Sequence, residues 1–361
     1  MNQDPVQVSK VHWQQTFPLL RLIRATTLGT GLAPLILATL CLIISWTGSA
    51  AANRVLSSGS ITAVCEFPWP EYARWTEADS SPLTLRELRA TNQVLPATVG
   101  VVVNSTSRTL SGRDLSGFPD KSTAEASVPW LLSLDLVIWN ALVLGFFATA
   151  IGRSVSQSFC IQTRSGVLQS LRYAGQHARD VLITTGLIIA FMSFLRLMLQ
   201  ACVLINQTGS FGSTVTGLFW GPIYLLAFAL LLVFSVGGSA WTLSLSAIGT
   251  DRCTGADALS RCISYLLSHR LWAIAGLISV GIIATALKWI AHVLLLATHH
   301  AIPQQLSLEN SGTLGQLWVF GIAMIPHAVH LSVFLSGLTI LYVLLRQRED
   351  GINLEEVDGA S

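Results

Sequence analysis

The chain has 361 residues, of which 52% are hydrophobic and only 11% are Asp, Glu, Lys or Arg, against about 25% charged residues in soluble proteins. Its mean hydropathy is +0.59, and it contains several apolar runs of about 20 residues or more. These values exclude an ordinary water-soluble fold, a disordered chain and a nucleic-acid-binding surface. The 21 basic and 19 acidic residues nearly balance, so no polyanionic partner is implied. The sequence predicts an all-α integral membrane protein.

Six apolar runs are long enough to cross about 30 Å of hydrocarbon at 1.5 Å per helical residue. The predicted spans are 31–51, 129–151, 181–205, 215–249, 271–298 and 314–346. The fourth and sixth are long enough that we expect them to tilt or bend. Pro222 and the pair Gly237-Gly238 are candidate kinks in the fourth span, and Pro326 is one in the sixth. The first run also resembles a cleaved signal peptide, but the long segment before it favours an uncleaved anchor.

Basic residues predict the orientation of the spans. The segments 1–30, 152–180, 250–270 and 347–361 carry Lys and Arg, whereas the short connections 206–214 and 299–313 carry none. Because cytoplasmic loops are enriched in Lys and Arg, we expect both termini in the cytoplasm.

The connection 52–128 is the one stretch with the composition of a soluble domain. It has turn-forming prolines and glycines and a β-branched run from Thr98 to Val103, which favour a small external domain that contains strands. The alternative is that Trp69 and Trp75 lie at the bilayer interface as anchors.

The two long cytoplasmic connections resemble each other. Each follows a span that ends in a small polar residue and Ala-Ile-Gly, at Thr149–Gly152 and Ser246–Gly249. Each then carries a stretch with helical apolar periodicity, predicted as short amphipathic helices over 166–179 and 257–269. The predicted apolar stripes are Val167, Leu168, Leu171, Ala174 and Ala178 in the first, and Leu259, Cys262, Ile263, Leu266 and Leu267 in the second.

A weaker third copy opens the chain, with Leu19, Leu20 and Ile23 on one side of a predicted helix. The predicted architecture is therefore six transmembrane helices arranged as three hairpins. Each hairpin is preceded by an amphipathic helix that lies along the cytoplasmic membrane face, where such helices normally anchor a span.

Three segments carry a family resemblance. They are the stretches Gly255–Tyr265 and Gly166–Tyr173 and the tail Leu345–Val357. Over its last 230 or so residues the chain resembles uncharacterised bacterial polytopic membrane proteins, including the membrane region that precedes some glycerophosphodiester phosphodiesterases. The resemblance implies a helical-hairpin module in the bacterial cytoplasmic (inner) membrane. It implies no phosphodiesterase activity, because the catalytic domain is absent from this sequence.

Ionisable residues inside apolar runs are the candidate functional residues, since each costs roughly 2.5 to 3.5 kcal/mol to insert. This candidate intramembrane polar cluster consists of Asp135, Arg196, Lys288, His292, His327 and His330. One interpretation is an outward-facing polar cavity. The other is that Arg196 and Lys288 extend to the headgroups while the histidines bond neighbouring helices.

The sequence contains no Walker, GxSxG, HExxH or GxGxxG motif. We therefore predict no catalytic residue, no cofactor and no metal ligand. The leading hypothesis is a non-enzymatic scaffold or accessory component whose partners are the lipid bilayer and other membrane subunits. The alternatives are a transporter or lipid-handling protein and, with less support, a metal-dependent membrane enzyme that uses His292, His327 and His330.

Overall fold

The computed structural model describes most of the predicted membrane part of the chain. The described residues are 18–56, 130–163, 165–206, 214, 217–301 and 312–351. Within them every regular element is helical, which confirms the all-α class for that part of the chain. The predicted external domain lies outside the described residues, apart from the end of the first long helix.

Ten α-helices follow one another in the described ranges. They are α1 (Arg24–Gly29), α2 (Leu32–Leu56), α3 (Trp130–Ser156), α4 (Val167–Gln176), α5 (Ala178–Asn206), α6 (Trp220–Leu232), α7 (Gly238–Asp251), α8 (Gly255–Ser268), α9 (Arg270–Ala301) and α10 (Gly312–Asp350). A 3₁₀ turn, Pro18–Ile23, precedes α1, and π-helical turns follow α3 at Gln157–Ile161 and separate α6 from α7 at Val233–Gly237.

Five of the described helical segments are long and apolar enough to cross a membrane. They are Ile138–Ile161, Ala178–Leu199, Trp220–Asp251, Arg270–Leu295 and Met324–Asp350. A sixth results if Arg21–Gly29 and Leu32–Gly48, which meet at a bend of 70°, are counted as one span. The chain thus has the build of a multi-pass membrane protein, as its composition predicts.

The helices α3, α7 and α10 contact one another pairwise and form the centre of the bundle. Small residues allow this close approach. A Cβ atom at Gly249 of α7 would lie only 2.9 Å from the carbonyl oxygen of Thr149 and 3.0 Å from the main-chain nitrogen of Arg153 on α3. The two Ala-Ile-Gly stretches therefore cross each other, and glycine is required at 249 because the neighbouring atoms are backbone.

The remaining long helices surround this centre. Helix α2 packs against α3 and α10, α9 packs against α10, and α5 packs against α3 and α7. The ends of α3, α7 and α10 that lie beside the short helices α4 and α8 will be called the short-helix end, and the opposite end the far end.

The fourth predicted span is interrupted, but not at its proline. Pro222 lies in the first turn of α6, where a missing main-chain N–H costs no helical hydrogen bond. The interruption is the π-helical turn that ends at Gly237, the first residue of the predicted glycine pair. Pro326, the candidate kink in the sixth span, lies inside the continuous helix α10.

Both predicted short helices exist, but their buried faces differ from the predicted stripes. In α4 the buried residues are Ser170, Tyr173 and Ala174, while Leu168 is 80% exposed. In α8 Leu259, Cys262 and Leu266 are buried together with Ala258 and Tyr265, while Leu267 is exposed. The outward position of Leu168 and Leu267 has a physical reason. A helix that contacts both protein and lipid has two apolar sides, and periodicity alone does not separate them.

The N-terminal segment differs from α4 and α8. Its buried residues are Leu22, Ala25 and Gly29, whereas Ile23, expected on the packed side, is exposed. A Cβ atom at Gly29 would meet the backbone of Val333 at 2.7 Å, so α1 runs directly along α10. The hydroxyl of Ser332 donates to the carbonyl of Gly29 at 2.6 Å, which fixes this contact.

Candidate functional site

Four of the six predicted polar residues come together where α9 faces α10. Lys288 and His292 lie on α9, His327 and His330 lie on α10, and the Lys288 ammonium interacts electrostatically with all three imidazoles. These four residues will be called the Lys288 cluster. The other two, Asp135 and Arg196, belong to α3 and α5, and their side chains are outside the described part of the structure.

Lys288 points into the protein. Its side chain is only 9% exposed, although the next two residues of α9, Trp289 and Ile290, are each 48% exposed. The lysine therefore lies on the face of α9 that packs against α10, while its neighbours lie on the outer surface. This placement differs from the snorkelling arrangement, in which the stem would extend along the outer surface towards the headgroups.

His330 fixes the contact between the two helices. Its ring is buried, donates a hydrogen bond to the main-chain carbonyl of Ala284 and stacks on Phe334 with 6.3 Å between ring centroids. Ala284 is four residues before Lys288, so its carbonyl is also the helical acceptor for the Lys288 main-chain N–H. His330 of α10 thus contacts α9 one helical turn before Lys288.

Pro326 adds a main-chain acceptor near the cluster. It lies inside α10, directly before His327, and a proline has no N–H to donate to the carbonyl four residues earlier. The carbonyl of Ile322 consequently lacks its usual helical donor about one turn away from His327. Polar backbone of this kind is tolerated within a membrane only where protein surrounds it.

The Lys288 cluster is basic. Helix α9 contains no Asp or Glu, and those of α10 are Glu349 and Asp350, about 28 Å further along the helix at 1.5 Å per residue. Among the described residues, no three His, Cys, Asp or Glu side chains are arranged to hold a metal ion. The three histidines therefore do not form a metal site with any described carboxylate or thiol.

A second polar cluster, not predicted from the sequence, lies at the short-helix end. The carboxylate of Asp251, at the end of α7, accepts hydrogen bonds from the Tyr342 hydroxyl and the Arg346 guanidinium. The carboxylate of Asp350 accepts from the Tyr265 hydroxyl at 2.8 Å and lies 3.7 Å from Arg346. These five residues, the Asp251 network, join α7, α8 and α10.

Further contacts extend the Asp251 network along the end of α10. The Nε2 atom of His269, between α8 and α9, lies 2.7 Å from a carboxylate oxygen of Glu349. The guanidinium of Arg348 lies over the Trp272 ring, 5.7 Å from its centroid. The last turn of α10 is therefore attached both to the short helix α8 and to the start of α9.

Comparable bonds attach α4 to α7 and α8 to α5. Tyr173 of α4 donates to the main-chain carbonyl of Ile248 on α7 at 2.7 Å. At the start of α5, Asp180 accepts from the main-chain N–H of Gly255 at 3.2 Å, and the Thr184 hydroxyl donates to the Gly255 carbonyl at 2.9 Å. Tyr173 and Tyr265 thus each bond the end of a central helix.

A sequence signal for the Asp251 network exists at the ends of two spans. Asp251 lies two residues after the end of the fourth predicted span, and Arg346 ends the sixth. An acidic residue at one span end and a basic residue at another, predicted on the same membrane side, are candidates for an ion pair. The positive-inside count does not reveal such pairs, because it depends on Lys and Arg and gives little weight to Asp and Glu.

Burial changes the titration of two groups near this network. Burial, with the hydrogen bond to Asp350, raises the pKa of the Tyr265 phenol well above its ordinary value. Burial, with the nearby charge of Asp251, raises the pKa of the Cys253 thiol to about 12. Both groups are neutral at physiological pH, so Tyr265 acts as a hydrogen-bond donor, and Cys253 lacks the thiolate that a nucleophile requires.

Comparisons of the chain with protein-family models, curated proteins and solved structures find no match. The resemblance to the membrane region of glycerophosphodiester phosphodiesterases therefore stays a prediction. The structure defines a class, a helical protein with several helices of membrane-spanning length.

Proposed function

We propose that the chain is a non-enzymatic scaffold or accessory subunit of a membrane complex, with its short-helix end in the bacterial cytoplasm. The observation that carries this proposal is the Asp251 network. Its charged side chains bond one another and fasten three helices together, so they stabilise a fixed shape. A transport path or a catalytic centre requires polar groups that remain available to a substrate.

The exposed charges of the short-helix end support its placement in the cytoplasm. Five arginines on or beside α4 and α8 are exposed. They are Arg172, Arg179, Arg252, Arg261 and Arg270. Arginines at this membrane boundary are typical of the cytoplasmic side, where they contact anionic headgroups and acidic partner surfaces.

The packing supports three hairpin units around a common centre. Each unit consists of a short helix, a span that leaves the short-helix end and a span that returns to it. The returning spans are α3 in unit one, α7 in unit two and α10 in unit three, and each contacts the other two. Helix α4, which opens unit two, packs on α3, and α8, which opens unit three, packs on α7. The N-terminal segment, which opens unit one, packs on α10 and so closes the ring of units.

Photo-crosslinking in native membranes tests the scaffold proposal. A photoreactive amino acid is introduced at Gln176, exposed on α4, and as a matched control at Tyr224, exposed on α6 at the opposite part of the bundle. We expect a discrete protein adduct from position 176 and lipid adducts from position 224. A chain that gives only lipid adducts at both positions, and that elutes alone after mild solubilisation, is not an accessory subunit.

Cysteine labelling in spheroplasts tests the orientation. In a cysteine-free background, single cysteines replace Ile61 in the predicted external segment and Thr163, which is exposed at the short-helix end. An impermeant maleimide is expected to label position 61 from outside, and position 163 only after permeabilisation. The reverse pattern would mean that the short-helix end is external.

A second candidate function, a transporter or lipid-handling protein, is favoured by the inward position of Lys288. Proteoliposomes that contain the full chain and a fluorescent phospholipid distinguish the two candidates. A lipid-handling protein accelerates exchange of the phospholipid between leaflets, and the Lys288→Met variant does so less. A scaffold leaves exchange at the rate of empty liposomes.

A further inference from the structure

We infer that the short helix α4 binds anionic phospholipid, with Leu168 among the acyl chains and Arg172 at the headgroup phosphates. This contact rests on the proposed function only for the position of the short-helix end at a membrane surface, and it names the lipid class that the scaffold binds there. Its basis is the order of side chains around α4, the same order around α8, and the positive charge that the short-helix end leaves uncompensated.

Helix α4 has three sides, because successive residues of a helix are rotated by about 100°. One side faces the bundle and is buried, and the next side is apolar and becomes more exposed away from the bundle. The third side is polar and exposed. In the order in which they follow one another around the helix, the members of these sides are Tyr173, Ser170 and Ala174, then Val167, Leu171 and Leu168, then Gln176 and Gln169.

Arg172 lies on the boundary between the apolar side and the polar side of α4. It follows Leu168 by four residues and precedes Gln176 by four, so it is rotated by about 40° from each of them. Leu168 is 80% exposed, and Arg172 is exposed as well. A leucine that inserts among acyl chains, with a guanidinium one turn away at the level of the phosphates, is the arrangement of an amphipathic helix bound at a membrane surface.

Helix α8 has the same three sides in the same rotational order. Its buried side is followed by an apolar side with the half-buried Ile263 and the exposed Leu267, and then by the exposed Ser260, Ser264 and Ser268. A contact with another protein places no requirement on this order. A helix at the junction of protein, hydrocarbon and water requires it, and equivalent helices of two units then turn their apolar sides to the same medium.

The lipid-facing surface of the spans begins close to the short helices. Only His177 separates α4 from the candidate span α5, and α5 already exposes Leu182, about 6 Å from its start at 1.5 Å per residue. Helix α8 leads into α9 in the same way, and Leu271, the second residue of α9, is 83% exposed. Leu168 and Leu267 therefore lie at the level at which hydrocarbon begins.

The charge of the short-helix end favours an anionic lipid. The described carboxylates at this end each lie within hydrogen-bond distance of a polar group of the chain itself. They are those of Asp180, Asp251, Asp257, Glu349 and Asp350. Arg172, by contrast, forms no ion pair with any described residue. Its charge is therefore available to an acidic headgroup at the surface of a leaflet.

Photo-crosslinking of the purified and reconstituted full chain tests the contact. A diazirine amino acid replaces Leu168 or, as the control on the polar side, Gln169, and the liposomes contain dioleoyl phosphatidylcholine mixed with dioleoyl phosphatidylglycerol. Mass spectrometry identifies the lipids joined to the protein. At position 168 we expect adducts in which phosphatidylglycerol is enriched about fivefold over its share of the liposome, the attraction of one arginine to an anionic surface. Position 169 should give few lipid adducts.

Variants connect the enrichment to Arg172. Arg172→Gln is expected to return the adducts to the composition of the liposome. Arg261→Gln is the matched control and should keep the enrichment, because Arg261 pairs with Asp257 at 3.0 Å and is rotated by about 120° from Leu267. If Arg172→Gln does not fold, a high salt concentration makes the same test on the chain with Arg172 intact, since salt screens exposed charges and should remove the enrichment.

Adducts without enrichment at position 168, or an enrichment that persists in Arg172→Gln or at high salt, overturn the inference. Adducts with a second copy of the chain in place of lipid assign this side of α4 to a protein contact and overturn it as well. The liposomes have the same lipids in both leaflets and contain no partner protein. The result is therefore independent of which side of the cell membrane α4 occupies and of whether the chain is a subunit of a complex, so this contact and the scaffold proposal fail separately.

Discussion

The two halves of the fourth span, α6 and α7, have opposite composition and opposite environments. Helix α6 consists almost entirely of large apolar residues, yet only Leu230 is buried. Helix α7 contains serines, threonines and glycines, yet ten of its fourteen residues are buried. In a soluble protein the more apolar segment would form the core.

This difference shows that residue size, more than hydrophobicity, determines which half packs. Lipid solvates Tyr224 and Phe228 of α6 well, so burying them gains little. Small residues such as Ala247 and Gly249 allow the backbones of α7 and α3 to approach, and dispersion and interhelical hydrogen bonds then stabilise the contact. Four variants test the comparison, in order of decreasing expected effect.

The largest effect is expected at the end of α7. Asp251→Asn removes the charge that pairs with Arg346 in a site where Asp251 is only 4% exposed, and breaking a buried pair typically costs about 3 to 5 kcal/mol. Asp257→Asn is the control, because its pair with Arg261 is nearly half exposed on both sides and is worth about 0 to 1 kcal/mol. Thermal unfolding in detergent measures both, and equal losses would show that the Asp251 network does not stabilise the bundle.

The next effect concerns the crossing of α7 and α3. Gly249→Ala places a methyl group against the backbone of Thr149 and Arg153, and overpacking of this kind costs about 1 to 3 kcal/mol. Gly221→Ala in α6 meets no atom within 4 Å, so its higher helix propensity should stabilise slightly. The two unfolding temperatures should move in opposite directions. A stable Gly249→Ala variant would mean that the helices separate at no cost.

A smaller effect is expected from a single hydroxyl. Tyr173→Phe removes the donor to the Ile248 carbonyl at the end of α7, and the net loss for such a bond is about 0.5 to 1.5 kcal/mol. Tyr224→Phe, on the exposed side of α6, should leave the unfolding temperature unchanged. If Tyr224→Phe is the more harmful variant, the exposed side of α6 forms a contact with a second molecule.

The smallest effect is expected from an interhelical side-chain bond. Thr185→Val removes the acceptor for the Trp241 indole N–H at 3.1 Å, and such bonds in membrane proteins average about 0.6 kcal/mol. Thr242→Val is the control, because the Thr242 hydroxyl bonds its own helix, at the Ser239 carbonyl. Equal unfolding temperatures for the two variants would show that the Trp241–Thr185 hydrogen bond does not stabilise α7 and that packing alone does.

The sequence predicted the membrane class and the short helices well, because composition and periodicity determine them. The predicted ranges 166–179 and 257–269 contain most of helices Val167–Gln176 and Gly255–Ser268. Their rotation was predicted less well, since Leu168 lies outwards and Tyr173 inwards. A leucine is equally stable against lipid and against protein, whereas Tyr173 needs the carbonyl that only the bundle offers.

The Lys288 cluster was predicted in part, because depth can be counted along a helix but rotation cannot. The sequence spacing places Lys288 and His292 one turn apart on one predicted span, and His327 and His330 three residues apart on another. Whether the two helices turn these residues towards each other depends on packing between small residues. A Cβ atom at Gly337 of α10 would meet the Val280 side chain of α9 at 2.7 Å, and this close fit is not visible in the sequence.

The contact of α1 with α10 delays completion of the fold during synthesis. The carbonyl of Gly29 receives its hydroxyl donor from Ser332, 303 residues later in the chain. At the usual ribosomal rate of about 5 to 20 residues per second, the first helix waits roughly 15 to 60 seconds for the surface on which it packs. Helix α10 both supplies this surface and is one of the three central helices. A nascent chain released before α10 therefore lacks the surface on which α1 packs and has an incomplete centre, in which only the contact of α3 with α7 remains.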